Sequence, residues 1–261
     1  MSSKEPRPKE KDKSKVHKLS LKGSSRLVAE FFQYSIHSIL FQRGVYPAED
    51  FTAVKKYGLN MLVSADDQVK AYIKKIMSQL DKWMVGGKIS KLVIVITDKD
   101  TGEHVERWQF DVGPRVGLAA QKTILHAPPS KPMANSETAL DQVQISQPAA
   151  KSKSKAPPQP TDQENVAPAA AAAAPEKTEA EIQAEIAAIF RQITASVTFL
   201  PQLSGDCTFN VLVYADADSD VPVEWGDSDA KEIANGEHVQ LRGFSTANHR
   251  VDTLVSYRLG D

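Results

Sequence analysis

The sequence has few of the residues on which disulfide frameworks, zinc fingers and zinc proteases depend. Its 261 residues include one cysteine, Cys207, which excludes a disulfide framework and any cysteine-based zinc finger. The six histidines lie far apart, and none forms the His-Glu-x-x-His helix face of a zinc protease. Because no titratable groups cluster around a nucleophile, we expect a protein without catalytic residues, metal or cofactor.

Long apolar runs and secretory signals are also missing. No apolar run approaches the ~18 residues of a membrane span, and no Asn-x-Ser/Thr acceptor for glycosylation occurs. The basic N-terminus has no hydrophobic stretch behind it, unlike a signal peptide. These absences predict an intracellular soluble protein that does not bind membranes.

A strong overall charge is missing too, although the charge is unevenly distributed. The 32 Lys and Arg residues nearly balance the 33 Asp and Glu residues, and the net charge of −1 argues against whole-chain attraction to nucleic acid. Residues Met1–Ser20 carry a net charge of +4 and Gly113–Pro175 carry +2, so the rest of the chain carries −7. We expect residues 1–20 to be a disordered basic tail, either simply solvated or serving as a phosphate contact or transport signal.

Prolines concentrate in one stretch. Ten of the 15 lie between Pro114 and Pro175, a segment that is poor in aromatic residues and ends in the alanine run Ala169–Ala174. Such a composition cannot bury enough apolar surface to offset the entropy lost on ordering. We therefore predict one domain over residues 21–261, interrupted by a disordered insert at 113–175.

Apolar periodicity predicts three helices. The first runs through Arg26–Phe41 after a cap at Ser24 or Ser25, and its apolar residues surround the axis, as in a helix at the centre of a fold. The second is closed by Gly86-Gly87, and its amphipathic face consists of Val69, Tyr72, Ile73, Ile76, Leu80 and Trp83.

The third helix is predicted to follow a capping box at Thr178–Glu181. Its apolar stripe consists of Ile182, Ile186, Ile189, Phe190 and Ile193. Because Arg191 lies roughly opposite that stripe and Gln192 near its edge, both side chains should face outward.

Strand patterns lie between and after these helices. Leu92–Ile96 is a continuous apolar run, which predicts a central strand, and His104–Val112 alternates, which predicts a half-buried strand with Arg107 on its polar face. Further strand segments are Gly58–Val63, Thr208–Ala217, the segment of Val239 and Leu241, and the alternating Val251, Val255, Tyr257 and Leu259. Helices and strands mix without a regular βαβ repeat, so the fold class is α+β.

Four isolated features have a functional and a structural interpretation. Gly86-Gly-Lys88 is favoured as a helix end over a phosphate loop, and Cys207 as a strand-edge residue over a nucleophile. The acidic stretch between Asp206 and Glu237 lacks the glycine spacing of a calcium loop, so we expect a solvated, mobile segment. The three tryptophans could stack on a base or sugar, but Trp83 and Trp108 fall on apolar faces, which favours core packing. Trp225 stands in the acidic stretch and must pack against something that this stretch covers.

Several longer strings carry a resemblance to a known family. They are Val28-Ala-Glu-Phe-Phe32, Ser38-Ile-Leu-Phe-Gln-Arg-Gly-Val-Tyr-Pro47, Lys56-Tyr-Gly-Leu59, Glu106-Arg-Trp-Gln-Phe-Asp111, Arg191-Gln-Ile-Thr-Ala195 and Val197-Thr-Phe-Leu-Pro201. In this order they closely resemble the mitotic-arrest-deficient-two proteins of the spindle assembly checkpoint, a branch of the HORMA domain family. The long insert departs from that family, where the corresponding loop is much shorter.

The resemblance implies an α+β HORMA domain, with a mainly antiparallel sheet packed on three helices and a mobile C-terminal safety belt. The belt, about Ala217–Asp261, would move from one edge of the sheet to the other and trap an extended partner peptide. By this resemblance, Trp225, Val251, Val255, Tyr257 and Leu259 belong to the belt and to peptide capture. A non-enzymatic adaptor is therefore expected.

The resemblance also implies partners and a location. The peptide owners would be the mitotic-arrest-deficient-one scaffold at unattached kinetochores and the activator subunit of the anaphase-promoting complex. Capture of the activator, together with a BubR-type checkpoint protein, would inhibit that ubiquitin ligase. The expected location is the nucleus and kinetochores, and also the cytoplasm.

Finally, the resemblance implies self-association between open and closed forms. The contact residues would be Arg191, Gln192, Phe199 and Arg242. The alternatives are a HORMA subunit of another pathway, either a translesion-polymerase accessory subunit or a meiotic chromosome-axis protein, and an enzyme of unrecognised type.

Overall fold

The computed structural model describes residues 20–114, 122–126 and 177–259, and for 122–126 the backbone only. The predicted basic tail up to residue 19 and most of the predicted insert lie outside these residues. Three helices are present in the described part: α1 (Leu21–Gln42), α2 (Asp67–Val85) and α3 (Glu179–Ala195). The strands are β1 (Phe51–Lys56), β2 (Leu59–Ser64), β3 (Ile89–Asp98), β4 (His104–Pro114), β5 (Lys122–His126), β6 (Cys207–Asp216), β7 (Gly226–Asp227), β8 (Glu237–Gln240), β9 (Phe244–Ser245) and β10 (His249–Tyr257).

The ends of the helices follow local capping chemistry. Helix α1 begins before the predicted caps because the Ser20 hydroxyl accepts a hydrogen bond from the Gly23 amide at 3.1 Å. The predicted caps Ser24 and Ser25 are instead buried in the first turns of the helix, which corrects that prediction. The capping box of α3 is confirmed, with Thr178 and Glu181 bonding each other's backbone amides.

A hairpin that the sequence analysis found only in part follows α1. Its two residues between β1 and β2, Tyr57 and Gly58, have φ angles of 51° and 69°, the backbone of a tight two-residue hairpin turn. The Tyr57 hydroxyl donates a 2.7 Å hydrogen bond to the Glu30 carboxylate on α1, which offsets the strain of a non-glycine residue at positive φ. Strand β2 matches the predicted extended segment Gly58–Val63, whereas no strand was predicted at β1.

The main sheet is antiparallel throughout. Its strand order is β7-β5-β6-β3-β4-β10-β8, and β9 pairs with β10 outside this path. The predicted central strand is confirmed, because β3 pairs with both β4 and β6 and its residues Leu92–Ile96 are fully buried. The α+β class predicted from the sequence is confirmed as well.

The three helices cover one face of the sheet. Helix α1 is central, as its all-round apolar pattern predicts: the Phe31 ring lies 5.6, 5.4 and 5.0 Å from those of Phe110, Phe190 and Phe244. The predicted apolar faces of α2 and α3 are buried against the same core. A buried ion pair crosses this core, since Arg43 Nε lies 2.8 Å from the Glu106 carboxylate at the start of β4.

The structure corrects three details of the strand predictions. Strand β5 and the last residues of β4 fall within the predicted insert, so its first part contributes backbone pairing to the sheet. Arg107 on the polar face of β4 is buried, because residues after β7 cover that face. Strand β10 ends at Tyr257, and Leu259 beyond it is 56% exposed, so Leu259 does not belong to the strand alternation.

Candidate functional site

The segment that follows β6 connects the two ends of the sheet. Residues 217–236, which we call the belt crossing, leave the end of β6 and arrive at β8 on the far side of β10. Residues 237–257, which we call the terminal hairpin, contain β8 and β10. The belt crossing therefore spans the sheet from the β6 side to the β8 side.

The first part of the belt crossing is held on α2. The indole Nε1 of Trp83 donates a 3.0 Å hydrogen bond to the Asp220 carbonyl, and the Trp225 ring packs edge-on against Trp83 with centroids 5.1 Å apart. Trp225 is only 6% exposed, which confirms that it packs against another part of the fold. Two ion pairs at the surface add to this contact, Lys75 with Glu224 and Lys88 with Asp218.

The second part of the belt crossing is held on the sheet by Arg107. Its guanidinium donates to the Ala230 carbonyl at 3.1 Å and to the Tyr214 hydroxyl at 3.3 Å, and lies 3.4 Å from the Glu232 carboxylate. Burial raises the pKa of Tyr214, although Arg107 acts in the opposite direction. Sequence reasoning missed this role, because an alternating strand pattern assigns Arg107 to solvent and carries no signal for a chain that later crosses that face.

The terminal hairpin completes the opposite end of the sheet. Strand β10 pairs with β4 from His249 to Tyr257 and with β8 on its other side. Val251 and Val255 are fully buried, which agrees with the predicted alternation, and Tyr257 is partly buried. Of the five residues assigned to the belt, Trp225 thus lies in the crossing and three lie in β10, while Leu259 lies beyond it.

The edge of β6 is occupied by a strand from the chain itself. Strand β5 pairs antiparallel with β6, and Gly226–Asp227 of the belt crossing pair with β5 on its outer side. Backbone groups of β6 that an added peptide would satisfy are therefore already paired here. This segment falls within the predicted disordered insert, and its pairing as a strand corrects that prediction.

Two of the four residues assigned to self-association, Gln192 and Arg242, are in contact. Arg191 is exposed, and the Gln192 side-chain oxygen accepts a 2.7 Å hydrogen bond from the Arg242 amide, which links α3 to the terminal hairpin. Phe199 is 40% exposed, and its ring lies 6.4 Å from that of Tyr257. An exposed aromatic ring suits a protein contact, but the role itself stays a prediction.

Two buried titratable groups, Glu106 and His37, lie inside the core. Burial raises the pKa of Glu106, although Arg43 and the Trp108 indole, which donates a hydrogen bond to it, act in the opposite direction. Burial lowers the pKa of His37 to about 4, so this imidazole is neutral and accepts a hydrogen bond from the Ser64 amide at 3.2 Å. These groups support the fold, because each one has its polar partner within the core.

Chemical reactivity has little support in the described residues. Burial and the nearby carboxylates of Asp98, Glu106 and Asp206 raise the pKa of the Cys207 thiol, the opposite of what a nucleophile needs. Within 20–114, 122–126 and 177–259, no group of three His, Cys, Asp or Glu residues could hold a metal ion. None of the helices described is long and apolar enough to cross a membrane.

With this sheet, its crossing segment and its terminal hairpin, the chain belongs to the HORMA domain family, which matches residues 24–249. Its relatives include three mitotic checkpoint proteins. The mitotic spindle checkpoint component mad2 of Schizosaccharomyces pombe is 48% identical over 92% of this chain and 94% of the relative, and MAD2 of Saccharomyces cerevisiae is 44% identical over 92% and 97%. The mitotic spindle assembly checkpoint protein MAD2A of Homo sapiens is 36% identical over 94% and 96%.

Solved structures agree with this assignment. A chain in the crystal structure of a mitotic checkpoint complex is 46% identical, with a TM-score of 0.66 over 91% of this chain and 99% of that one. The Caenorhabditis elegans protein HTP-1, solved bound to HTP-3 motif-1, is 16% identical with a TM-score of 0.60 over 92% of both chains. The second likeness extends to the fold alone.

Proposed function

We propose that this chain is an adaptor of the mitotic spindle checkpoint that traps an extended partner peptide under its C-terminal belt. The observation that carries the proposal is the path of residues 217–236, which leave β6, pass outside the strand that pairs with β6, and end at the opposite side of the sheet. The checkpoint names of relatives that match over nearly their whole length support the same role. Such a protein works by binding and needs no catalytic group.

The physical basis of capture is strand addition. An incoming peptide satisfies the backbone groups along β6, while the side chains that flank this edge select among sequences. A segment that passes over the bound strand must open locally before the peptide can leave. Release is then slow without a very large interface, because the opening step limits the dissociation rate.

The partners follow from the resemblance and from the assembly in which a similar chain was solved. We propose that the captured peptides belong to the mitotic-arrest-deficient-one scaffold and to the activator subunit of the anaphase-promoting complex, and that a BubR-type checkpoint protein joins the latter assembly. Inhibition of the anaphase-promoting complex would follow. We propose kinetochores, the nucleus and the cytoplasm as the places of action.

The belt mechanism is tested by removing its last strand. We expect deletion of Val251–Asp261 to raise the dissociation rate of a captured peptide by at least about 100-fold, because the terminal hairpin then cannot hold the crossing in place. The helices and the sheet β6-β3-β4 keep their mutual contacts, so the truncated chain should stay folded by circular dichroism. The probe is a set of labelled peptides that tile the activator subunit, applied to the otherwise full chain.

The matched control for this deletion is a chain shortened only after Arg258. It removes the exposed Leu259 and leaves all pairs of β10 in place, so it should retain the peptide like the full chain. If the longer deletion released the peptide no faster than the control, a fixed groove at the sheet edge would have to replace the belt.

Self-association is proposed to use the surface of Arg191, Gln192, Phe199 and Arg242. The double substitution Arg191→Glu with Gln192→Ala should abolish dimer formation in light scattering and leave peptide capture unchanged, since the β6 edge lies elsewhere. Lys55→Glu is the matched charge reversal, because Lys55 is exposed on β1. A dimer that persists in the double variant would remove this assignment.

A further inference from the structure

We infer that residues Lys122–His126, from the long loop between β4 and α3, are an internal occupant of the peptide-binding edge of β6, which a partner peptide must displace. This inference rests on the proposed function, because it names the regulation of the same edge. The segment is not an isolated turn: it forms five register pairs with β6 and lies between β6 and β7. It therefore has the position that a captured peptide takes, inside the belt crossing.

The register indicates which peptide chemistry the edge takes. Leu125 is paired with Val213 and Thr123 with Ala215, and both of these β6 residues are fully buried on the helix-covered face. Cross-strand partners share one face of a sheet, so an occupant needs small or apolar residues at these two positions. We thus expect partner peptides to be extended and apolar at alternate positions.

The position at the start of the segment adds a charge criterion. Lys122 is paired with Asp216, the last residue of β6, and the chain continues there into Ala217 and Asp218. A basic residue opposite this acidic end is favoured over an acidic one, because like charges in directly opposed positions are destabilising. The partner class is therefore a peptide with a basic residue followed, one and three positions later, by small or apolar residues.

The connection allows this pairing within one chain. The end of β4 and the end of β6 lie at the same end of the sheet, since Lys91 at the start of β3 pairs with Asp111 and with Tyr214. Strand β5 lies three strand spacings from β4, about 14 Å at ~4.8 Å per spacing. The seven residues between Pro114 and Lys122 can reach up to about 26 Å when extended, so they suffice.

A tether this short gives the internal segment an advantage over free peptides. A segment joined to its site by a short linker competes at an effective concentration of the order of millimolar. A partner peptide at micromolar concentration must compete with that, and its apparent affinity falls by the fraction of chains in which the edge is free. Displacement of the segment thus becomes a step at which capture is regulated.

The first test replaces Lys122–His126 by five Gly and Ser residues in the full chain, which keeps the loop length. The probe is a labelled synthetic peptide with the sequence of residues 118–131, added in trans. We expect the variant to bind this peptide at least about 10-fold more tightly than the unmodified chain. The matched control carries the same replacement at residues 140–144 and should bind as weakly as the unmodified chain.

The second test locks the segment in place. With Cys207→Ser, the pair Thr123→Cys and Ala215→Cys stands at opposed positions of β5 and β6, where Cα separations suit a disulfide. The oxidised chain should bind the probe at least about 10-fold more weakly than the reduced chain. A disulfide that does not form, or one that leaves binding unchanged, overturns the inference, as does equal binding by the replacement and its control.

The activator peptides used above separate this inference from the proposed function. If the unmodified chain and the Gly/Ser replacement capture an activator peptide equally well, capture stands and internal occupancy is wrong. If no folded variant captures any activator peptide, the proposed function fails and the inference fails with it. Tighter capture by the replacement alone supports both.

Discussion

The two halves of the C-terminal segment are held in different ways. In the belt crossing, residues 217–236, only Trp225 and Ile233 are buried. Backbone carbonyls of the crossing also accept hydrogen bonds from the side chains of Trp83 and Arg107. In the terminal hairpin, residues 237–257, β10 pairs along its whole length with β4, and its buried residues join the main core. The crossing is attached at a few points, whereas the hairpin is part of the sheet.

This difference has a consequence for movement. Opening the crossing exposes little apolar surface and breaks a few identifiable contacts, so its free energy can lie far below that of global unfolding. Releasing the hairpin exposes fully buried valines and the edge of β4, which approaches the cost of unfolding that end of the sheet. Under the proposed mechanism, peptide exchange by opening of the crossing alone would therefore be the easier event, and relocation of the whole segment would be the slower one.

The largest effect is expected when an aspartate replaces a buried valine of the hairpin. The same replacement at an exposed valine of the crossing is its control. Val255→Asp places an unpaired carboxylate at a fully buried position opposite Trp108, and should lower the free energy of unfolding by more than about 4 kcal/mol. Val223→Asp makes the same change in the crossing, where the side chain is fully exposed, and should alter it by less than about 0.5 kcal/mol. Urea unfolding followed by circular dichroism measures both, and equal losses would contradict the division into two halves.

A smaller and more local effect is expected at Trp225. Trp225→Ala removes the ring that packs on Trp83, and should lower the free energy of opening the crossing by about 3 kcal/mol, which corresponds to about 100-fold faster peptide release. Hydrogen exchange should quicken at residues 217–236 and stay unchanged in α1.

The control for the tryptophan is Trp225→Phe, which keeps an aromatic ring and should release the peptide nearly as slowly as the unmodified chain. Trp225→Ala should change the free energy of global unfolding by much less than it changes the free energy of opening the crossing. If Trp225→Ala instead lowered the global free energy of unfolding by the full amount, the crossing would not be a separate unit.

The fold was largely predictable from the sequence because its strongest signals are periodic. The all-round apolar pattern of α1, the stripe of α2 and the capping box of α3 each depend on neighbours within a few turns of chain. The continuous run Leu92–Ile96 predicted its central position for the same reason. Strand β1 was missed, because Thr52, Lys55 and their neighbours show no apolar alternation and the strand is defined by its turn at Tyr57-Gly58.

The candidate site was predictable only in part, because its contacts join distant parts of the sequence. The lone Trp225 in an acidic stretch correctly indicated packing on another element. Arg107 gave no such signal, since its burial depends on residues more than a hundred positions later. Strand β5 was hidden by composition: a short run of five residues inside a Pro-rich and Ala-rich segment pairs with β6 through its backbone, and backbone pairing leaves little mark on composition.

The pH dependence of stability has one contribution from the body of the domain and another from the terminal hairpin. His37 in α1 is neutral with a pKa of about 4, whereas an unfolded histidine titrates near pH 6.5. Between these values the unfolded state binds a proton that the folded state lacks, so stability should fall by up to about 3 kcal/mol as the pH drops from 6.5 to 4. His37→Gln should flatten this part of the profile of urea unfolding.

The terminal hairpin also makes the protein less stable at acidic pH, through a different histidine. Burial also lowers the pKa of His249 at the start of β10, whose ring lies 2.6 Å from the Ser24 hydroxyl. His249→Gln should therefore remove a second, separate share of the acid sensitivity. A profile that either substitution leaves unchanged would contradict the corresponding neutral histidine.

The smallest effect is expected from the ion pairs of the belt crossing. Lys88 Nζ lies 2.9 Å from the Asp218 carboxylate, but both side chains are substantially exposed, so water and salt screen their attraction. Lys88→Ala should change the free energy of unfolding by less than about 0.5 kcal/mol and the peptide release rate by less than about twofold. Release measured at 50 mM and 500 mM NaCl should likewise agree for the unmodified chain. A strong salt dependence that Lys88→Ala abolishes would mean that charge, and not Trp225 and Arg107, fastens the crossing to the domain.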